Sequence, residues 1–491
     1  MAHRAENKVY AALDIGSSNI KLGIFHPGAS HGIIHLGKRT NSFIHHPSGK
    51  VLSDFTRTRK ACFQLLEALG KYLRQHGCST CYLGICSHVS SLLEWDRASG
   101  GIRHARFPVW MDRTCAVALD ELGEMNSSGL LTGAIGHPLP PGTNWLLSKL
   151  LARSKETRPG NTRYLQAGDA IFTLLTGETR THFSSQVSMV HQFDRHYADS
   201  LLDYLGLAPD SLPAISQDGL FPMTPSARKM LSFPADSHVL PSMADFYAAF
   251  RGLLLEENEA FIMGNTSEVA GHFSSGLPGT GKPLMHVAMA GGFVSYGSTS
   301  TGGNVISWFV EEILGKRATA KMLDEMTFKA SMVDPGACPL FLPYIEGERA
   351  PFWDHSLSAG FHGLRSHHSA EHLFRAVLES LAFARRQLLE WITGEEVRDI
   401  KLGGGSSANS LLNIVRASVM NKPVLVRGEQ ELSLSGLIHG LIDADHGTRS
   451  DARPETGYDR LLPDPGLAGF YEERYREFLQ LQLQNNINLS W

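Results

Sequence analysis

Val9-Tyr-Ala-Ala-Leu-Asp14-Ile-Gly16-Ser17-Ser18-Asn19-Ile-Lys21-Leu-Gly-Ile-Phe25 is the stretch on which the fold turns. It reads as two apolar strands joined by a turn of small polar residues, with an acid at the end of the first strand. Gly16 permits backbone conformations closed to other residues. Ser17, Ser18 and Asn19 offer hydroxyls, an amide and consecutive backbone N–H groups, a donor-rich concavity suited to an anion such as phosphate. Asp14 would hold a hydrated divalent cation beside that phosphate, because hard cations take oxygen ligands. The same residues would also make an ordinary hairpin with a Ser-rich turn, and this stretch alone leaves both readings open.

Working outward, residues 9–13, 21–25 and 32–36 read as a meander of strands punctuated by Gly, Ser and Pro. Residues 57–76 place Cys62, Leu65, Leu66, Leu69, Tyr72 and Leu73 on one helical stripe, and Gly77 follows as a stop. A further strand at 82–86 completes an α/β unit. Residues 112–205 read as mainly helical, with Leu-rich helices at 144–153 and 169–175. A short strand at 237–240 stops at Pro241 and leads to Asp245 and a small-residue helix. A second α/β unit is expected beyond it. Strands at 260–263, 284–288 and 400–402 lie there, with helices at 307–314, 371–391 and 411–420. Strand-then-polar-turn punctuation in both halves suggests a duplicated fold. A chain of 491 residues is too long for one ordinary core. The expected division is 1–247, 248–445 and a C-terminal linker with a short helix at 446–491.

Composition bounds the function. Apolar residues make up 42% and charged residues 19%, as in a soluble globular protein, and 45 Lys and Arg against 49 Asp and Glu give a net charge of −4. That balance supplies no basic field for nucleic acid. The polar N-terminus has no signal-peptide core, and six sparse cysteines suit a reducing cytoplasm. Residues 283–310 lack Asp, Glu, Lys and Arg but are crowded with Gly, Ser, Thr and Asn, which is no membrane span.

Several motifs are weaker than they look. Cys78-x-x-Cys81 is half a zinc site with no second pair. Gly276-Leu-Pro-Gly-Thr-Gly281-Lys282 fits seven positions of a P-loop, but Pro283 stands where Ser or Thr should bind magnesium, so a surface turn is the better reading. His368 and His372, beside His367, are spaced for a metal pair, yet a solvated helix start suits them better. Gly403-Gly404-Gly405 opening a helix lets the backbone approach a flat ligand closely, and Asn409 in its first turn would reach a base or ribose. Tyr344-Ile-Glu346-Gly-Glu348-Arg349 reads as an ion-pair turn supporting a cleft.

Taken together, these motifs resemble the FGGY carbohydrate kinases, within the superfamily of actin and the heat-shock chaperone ATPases. The resemblance runs from Asp14-Ile-Gly16 to Lys21, through Trp110-Met-Asp112-Arg113 and Leu174-Leu-Thr176-Gly177-Glu178. It continues in Pro343-Tyr344-x-x-Gly347-Glu348-Arg349-x-Pro351, Gly360-x-x-Gly363-Leu364-x-x-x-His368 and Gly403-Gly404-Gly405 to Asn409. It implies an α/β protein of two actin-like (ribonuclease H-like) domains with an active-site cleft between them. ATP and Mg2+ would be used to phosphorylate a hydroxyl of a small carbohydrate. By the same resemblance Ser17, Ser18, Asn19, Lys21 and Thr266 face the ATP phosphates, Asp14 the magnesium, and Gly303, Gly405 and Asn409 the adenosine. Asp245 is the catalytic base, and His88, Ser90, Asp112 and Phe246 stand at the sugar.

Departures are visible as well. The second phosphate loop reads Asn265-Thr266-Ser267-Glu268 where the family has Gly-Thr-Ser-Gly, which brings a negative charge toward phosphates. Ser242 and Ala244 replace glycines beside Asp245. His88-Val89-Ser90 matches neither the xylulokinase nor the glycerol kinase pattern. Phe246 replaces an amide, which disfavours glycerol and leaves a pentulose or related ketose, polyol or aldonate. Two other classes stay in view: a catalytically weak sugar- or nucleotide-responsive binding protein, and an actin-like or chaperone-like ATPase. No nucleic acid or membrane partner is expected, and a homodimer is left open.

Overall fold

The computed structural model describes residues 7–27, 30, 32–140, 142–154, 161–216, 219–264, 266–276, 279, 282, 284–393, 397–427, 431–446 and 457–489. Contacts divide the chain into two compact units, Met1–Leu254 with Glu431–Thr456, and Leu255–Gln430 with Gly457–Trp491.

The first unit is built on a six-stranded sheet whose centre is three parallel strands, Asp236–Ala244, Thr80–Ser87 and Lys8–Ile15. Antiparallel strands Asn19–Phe25 and Ile34–Thr40 extend it as the expected meander. Val9, Ala11, Leu13 and Ile15 share a core with Leu65, Leu66 and Leu69 of helix Phe55–Gln75. That helix begins two residues before its apolar stripe suggests, because the Asp54 carboxylate accepts from the Thr56 and Arg57 N–H groups and caps it.

The strand before Asp245 does not stop at Pro241. It runs Asp236–Ala244, with a register shift between Leu240 and Met243. A bulge frees the proline from the ladder hydrogen bond it cannot donate, so the strand passes through it.

The contacts group the chain differently from the expected divisions after residues 247 and 445. Helix Leu432–His446 belongs to the first unit, and helix Pro465–Gln484 packs in the second through Tyr471, Tyr475 and Phe478. Two glycines explain the first assignment. A Cβ on Gly436 would lie 1.7 Å from the Ala248 carbonyl oxygen, and one on Gly252 would lie 2.2 Å from that of Leu432. Helices Asp245–Leu253 and Leu432–His446 therefore meet backbone to backbone, an approach that any side chain would block. The Tyr10 hydroxyl donates to Asp445 at 2.7 Å and ties the returning helix to the central strand.

The second unit repeats the plan. Parallel strands Glu259–Gly264, Asp399–Gly403 and Val424–Arg427 form the centre of a seven-stranded sheet. Glu268–Ser274 and Gly292–Ser298 supply the antiparallel meander. Helices Ala370–Thr393 and Ser410–Met420 contribute Leu388 and Ala417 to the core with Ile262, Ile400 and Leu402. Two α/β units of one topology are the duplication that the repeated punctuation suggested.

The P-loop-like turn lies partly outside the described residues. Its Lys282 packs over the Trp391 ring at 5.5 Å and donates to the Trp391 carbonyl, so it is not poised over a ligand. In the histidine cluster, Nδ1 of His368 accepts from the Arg365 N–H and Nδ1 of His372 from the Ser369 N–H. Both rings are thus spent on the local turn. No group of three or more metal-ligating side chains stands among the described residues, and no helix of theirs is long and apolar enough to cross a membrane.

Candidate active site

In the first unit, sheet register gathers the chemistry. Asp14 pairs with Cys86, and Cys86 with Met243, on three adjacent parallel strands. Asp245 follows two residues later as the first residue of helix Asp245–Leu253. The C-terminal ends of parallel strands are where α/β sheets commonly bind ligands, and here they carry two carboxylates.

Asp14 is buried. Its Oδ2 accepts from the Ser433 hydroxyl at 2.8 Å, and its Oδ1 from the Cys86 thiol at 3.5 Å. Burial pushes its carboxyl above the ordinary range. Asp245 is pushed up to about 7, first by burial and then by the Asp14 carboxylate, against the pull of the Phe246 N–H at 2.8 Å. The chain ahead of Asp245 is pinned. The Ser242 carbonyl accepts from the His182 N–H at 3.0 Å and the Ser185 hydroxyl at 2.9 Å, while the Ala244 N–H donates to Ser184 Oγ at 3.1 Å.

The turn at Gly16 is closed by backbone hydrogen bonds. The Gly16 N–H donates to the Asn19 carbonyl at 3.0 Å, and the Asn41 N–H to the Ser18 carbonyl at 2.9 Å. Ser18 stays exposed, and Ser17 Oγ accepts from the Trp110 indole at 3.0 Å. Lys21 pairs across the hairpin with Asp14 and sets its Nζ 2.5 Å from Glu431.

The expected sugar-side residues divide into two groups. The His88 N–H donates to the Ile15 carbonyl at 3.0 Å, which holds the turn at 88–91 beside the Gly16 turn. Its ring lies edge-on to Phe43 at 5.3 Å, and burial lowers its pKa to about 4, so it is a neutral imidazole. Ser90 takes a left-handed φ of 58°, a conformation costly for a non-glycine residue. Phe246 is partly exposed beside Phe250. Asp112 behaves differently. One oxygen accepts from the Val51 N–H at 2.9 Å and the other from the Thr114 N–H at 2.9 Å and its hydroxyl. Its carboxylate braces the Trp110 loop, and that is the observed use of its charge.

The second unit carries the remaining positions. Thr266 is exposed, and its carbonyl accepts from the Asn304 N–H at 2.9 Å; Asn265 lies outside the described residues. Gly303 opens helix Gly303–Trp308. Gly405 begins a short 3-10 turn ahead of helix Ser410–Met420. The Asn409 side chain caps that helix, accepting from the Leu412 N–H at 2.9 Å and donating to Thr327 Oγ1 at 2.9 Å.

Glu268 does not face outward with its charge. It is fully buried, ion-paired to Arg416 and to Arg385, the latter at 3.3 Å. Sequence reasoning missed both arginines, although Arg385 continues the apolar stripe of Phe374, Leu378 and Leu381 and is thereby marked as inward-facing. Glu431 and Ser433 were missed as well. No local pattern marks them, because their partners stand about four hundred positions earlier. Glu348, expected in an ion-pair turn, is buried and lies 3.7 Å from Arg385.

Comparison with known proteins fits this arrangement. The chain is 24% identical over 455 residues to the glycerol kinase of Aquifex aeolicus, covering 87% of this chain and 88% of that one. Its fold matches a gluconate kinase from Lactobacillus acidophilus with a TM-score of 0.85 at 17% identity, over 98% of this chain and 99% of that one. A ligand-bound xylulose kinase from the same organism also gives 0.85, at 18% identity and the same coverage. Residues 9–234 match the N-terminal domain and residues 260–439 the C-terminal domain of the FGGY family of carbohydrate kinases. Paired carboxylates at parallel strand ends, a duplicated α/β plan and two family domains in order lead to one assignment: this chain belongs to the FGGY family of carbohydrate kinases.

Proposed function

We propose that the protein transfers the γ-phosphoryl group of ATP to a hydroxyl of a pentulose or a related ketose, polyol or aldonate, with Asp245 as general base. The observation that carries this reading is the placement of Asp245 at the start of a helix beside the parallel strand ends, pinned from behind by residues 182–185, with its carboxyl raised to about 7. A base near the operating pH best combines the ionised state with affinity for the incoming proton. Asp245 orients the hydroxyl and accepts its proton as the new oxygen–phosphorus bond forms, while the bond from the γ-phosphorus to ADP breaks. Lys21 and the N–H groups of Ser17, Ser18 and Asn19 stabilise charge on the phosphoryl oxygens. Thr266 contributes to the same task, and Gly303, Gly405 and Asn409 form the nucleotide-binding turns of the second unit. Asn409 acts there as the cap that fixes the turn.

The donor set near Asp14 fits magnesium. Each carboxylate oxygen accepts one hydrogen bond, which leaves lone pairs free, and Mg2+ is usually held by one or two carboxylates plus substrate phosphates. Bound there through its water shell, the ion would neutralise charge on the phosphates.

On the sugar side, His88 supplies a neutral, shape-defining ring, Ser90 a hydroxyl fixed by a strained backbone, and Phe246 an apolar wall. Asp112 keeps the Trp110 loop in place. An apolar Phe246 argues against glycerol, the substrate in the names of the curated relatives. Six free cysteines support a reducing, cytoplasmic setting. The binding-protein and protein-partner ATPase readings are not favoured, since matches to both kinase domains span most of the chain.

A coupled ADP-release screen over glycerol, xylulose, gluconate and related ketoses and polyols tests this reading. Sugar-stimulated turnover should appear with an open-chain ketose, polyol or aldonate, and Asp245→Asn should lower it by at least a hundredfold. Turnover that survives that substitution would remove Asp245 from its role, and a clear preference for glycerol would overturn the substrate class.

A further inference from the structure

Glu268 is the first residue of strand Glu268–Ser274, and a carboxylate there has every reason to be excluded from a phosphate-binding region. The structure buries it completely instead. Its Oε1 accepts from Arg416 Nη2 and, at 3.1 Å, from the Ser406 hydroxyl. Its Oε2 lies 3.3 Å from Arg385 Nε, a charge contact without hydrogen-bond alignment. Arg416 and Arg385 are 0% and 1% exposed. Arg385 also donates to Thr301 Oγ1, and Glu348 accepts from that same hydroxyl at 2.6 Å, from the Arg349 N–H at 2.8 Å and from the Ser300 N–H. Arg349 returns to the starting turn, donating to Ser267 Oγ at 3.3 Å and to the Thr299 carbonyl.

The main chain follows the same route. The Thr299 N–H donates to the Glu268 carbonyl at 2.9 Å, and the Glu268 N–H to the Thr301 carbonyl at 3.2 Å. Gly264 leaves room for the whole assembly: a Cβ there would sit 1.7 Å from Ser406 Oγ and 2.8 Å from Glu268 Oε1. Three separate turns, at 266–268, 299–302 and 404–407, therefore converge on one carboxylate.

We propose that Glu268 is a positioning residue, whose carboxylate between Arg416 and Arg385 locks these three turns into the single arrangement that receives the nucleotide. The inference rests on the reading above, in which those turns meet ATP. Glu268 and Glu348 are met by the buried Arg385 and Arg416, with the half-buried Arg349 beside them. Nucleotide phosphates then meet hydroxyls and N–H groups rather than a bare negative charge. Buried ion pairs are poor stabilisers relative to apolar packing, yet they define geometry strictly because each member requires its partners.

The test uses the full-length protein and measures ADP affinity by calorimetry, with KM for ATP and for the sugar. Glu268→Gln keeps shape and removes charge. It should weaken ADP binding and raise KM for ATP by about ten- to a hundredfold, with KM for the sugar unchanged. Arg416→Lys, which keeps the cation and loses the planar fork, should give the same selective effect at smaller size and stands in if the first variant does not fold. Thr266→Ala reports on the underlying reading and should also weaken ADP. If Thr266→Ala weakens ADP while Glu268→Gln and Arg416→Lys do not, the positioning role falls and the nucleotide reading stands. If none of the three alters ADP affinity, both fall. Equal losses in ATP and sugar kinetics would mark a merely structural cluster and overturn the proposal.

Discussion

In the first unit, the turn after the leading strand is closed by main chain. Gly16 donates to Asn19, and Asn41 buttresses it from outside, both through its N–H to the Ser18 carbonyl and through its side chain to the Gly16 carbonyl at 2.8 Å. In the second unit, the corresponding turn after Glu259–Gly264 is closed by charge, with Glu268 at the hub of buried arginines. The first needs small residues in consecutive positions and one further residue, Asn41, whose bonds go to main-chain carbonyls. The second needs side chains from residues 268, 348, 385, 406 and 416, on separate segments, to arrive together. A backbone turn tolerates side-chain change and depends on its sequence neighbours, whereas a charge-closed turn is intolerant and depends on the rest of its unit.

That contrast can be broken by substitution. The largest stability effect is expected for Glu268→Ala, which strands two buried guanidinium groups and should cost about 3–5 kcal/mol in denaturant unfolding. A loss below about 1 kcal/mol would mean that the cluster is not what closes the turn. Lys21→Met should be the reverse case, lowering kcat/KM for ATP by about a hundredfold or more while moving stability by under about 1 kcal/mol, since the Lys21–Glu431 pair is partly solvated. Retained kcat/KM would take Lys21 out of phosphate stabilisation.

Acid should act on the first unit's chemistry. With Asp245 raised to about 7, its base form is lost as pH falls through that value. The kcat/KM profile should then drop about tenfold per unit below pH 7 and level off above it. A profile flat down to pH 5 would place the base elsewhere. The smallest effects belong to the first turn's surface. Trp110→Phe removes one indole donor to Ser17 and should cost about 1 kcal/mol, and Ser18→Ala should stay within about 0.5 kcal/mol.

The same contrast explains what could be read from the chain alone. Strands, the Phe55–Gln75 helix, the Gly16 turn and the position of Asp245 follow from local periodicity and turn chemistry, and the structure places them within a few residues of expectation. What escaped were features that depend on distant partners. Glu268 looked like an intruding charge because Arg385 and Arg416 lie more than a hundred positions away. The bracing role of Asp112 was hidden because nothing in Trp110-Met-Asp112-Arg113 reveals that its oxygens accept from Val51 and Thr114. Pro241 looked like a stop because a bulge is invisible to propensity. The return of helix Leu432–His446 to the first unit was hidden for the same reason, since a chain that leaves a unit and returns to it changes composition very little.

The returning helix has a consequence for how the protein is made. Asp14 and Lys21 emerge from a ribosome 419 and 410 residues ahead of Ser433 and Glu431, the side chains that hold them. Until Leu432–His446 arrives, the glycine-lined faces of Gly23 and Gly84, which later take Leu434 and Leu437, have no cover. A nascent or truncated chain ending near residue 254 is thus a sheet with one bare side, and a fragment expressed to that boundary should stick to itself or to chaperones. The sheet of the first unit is translated ahead of the second unit but is completed only after most of the second has been made.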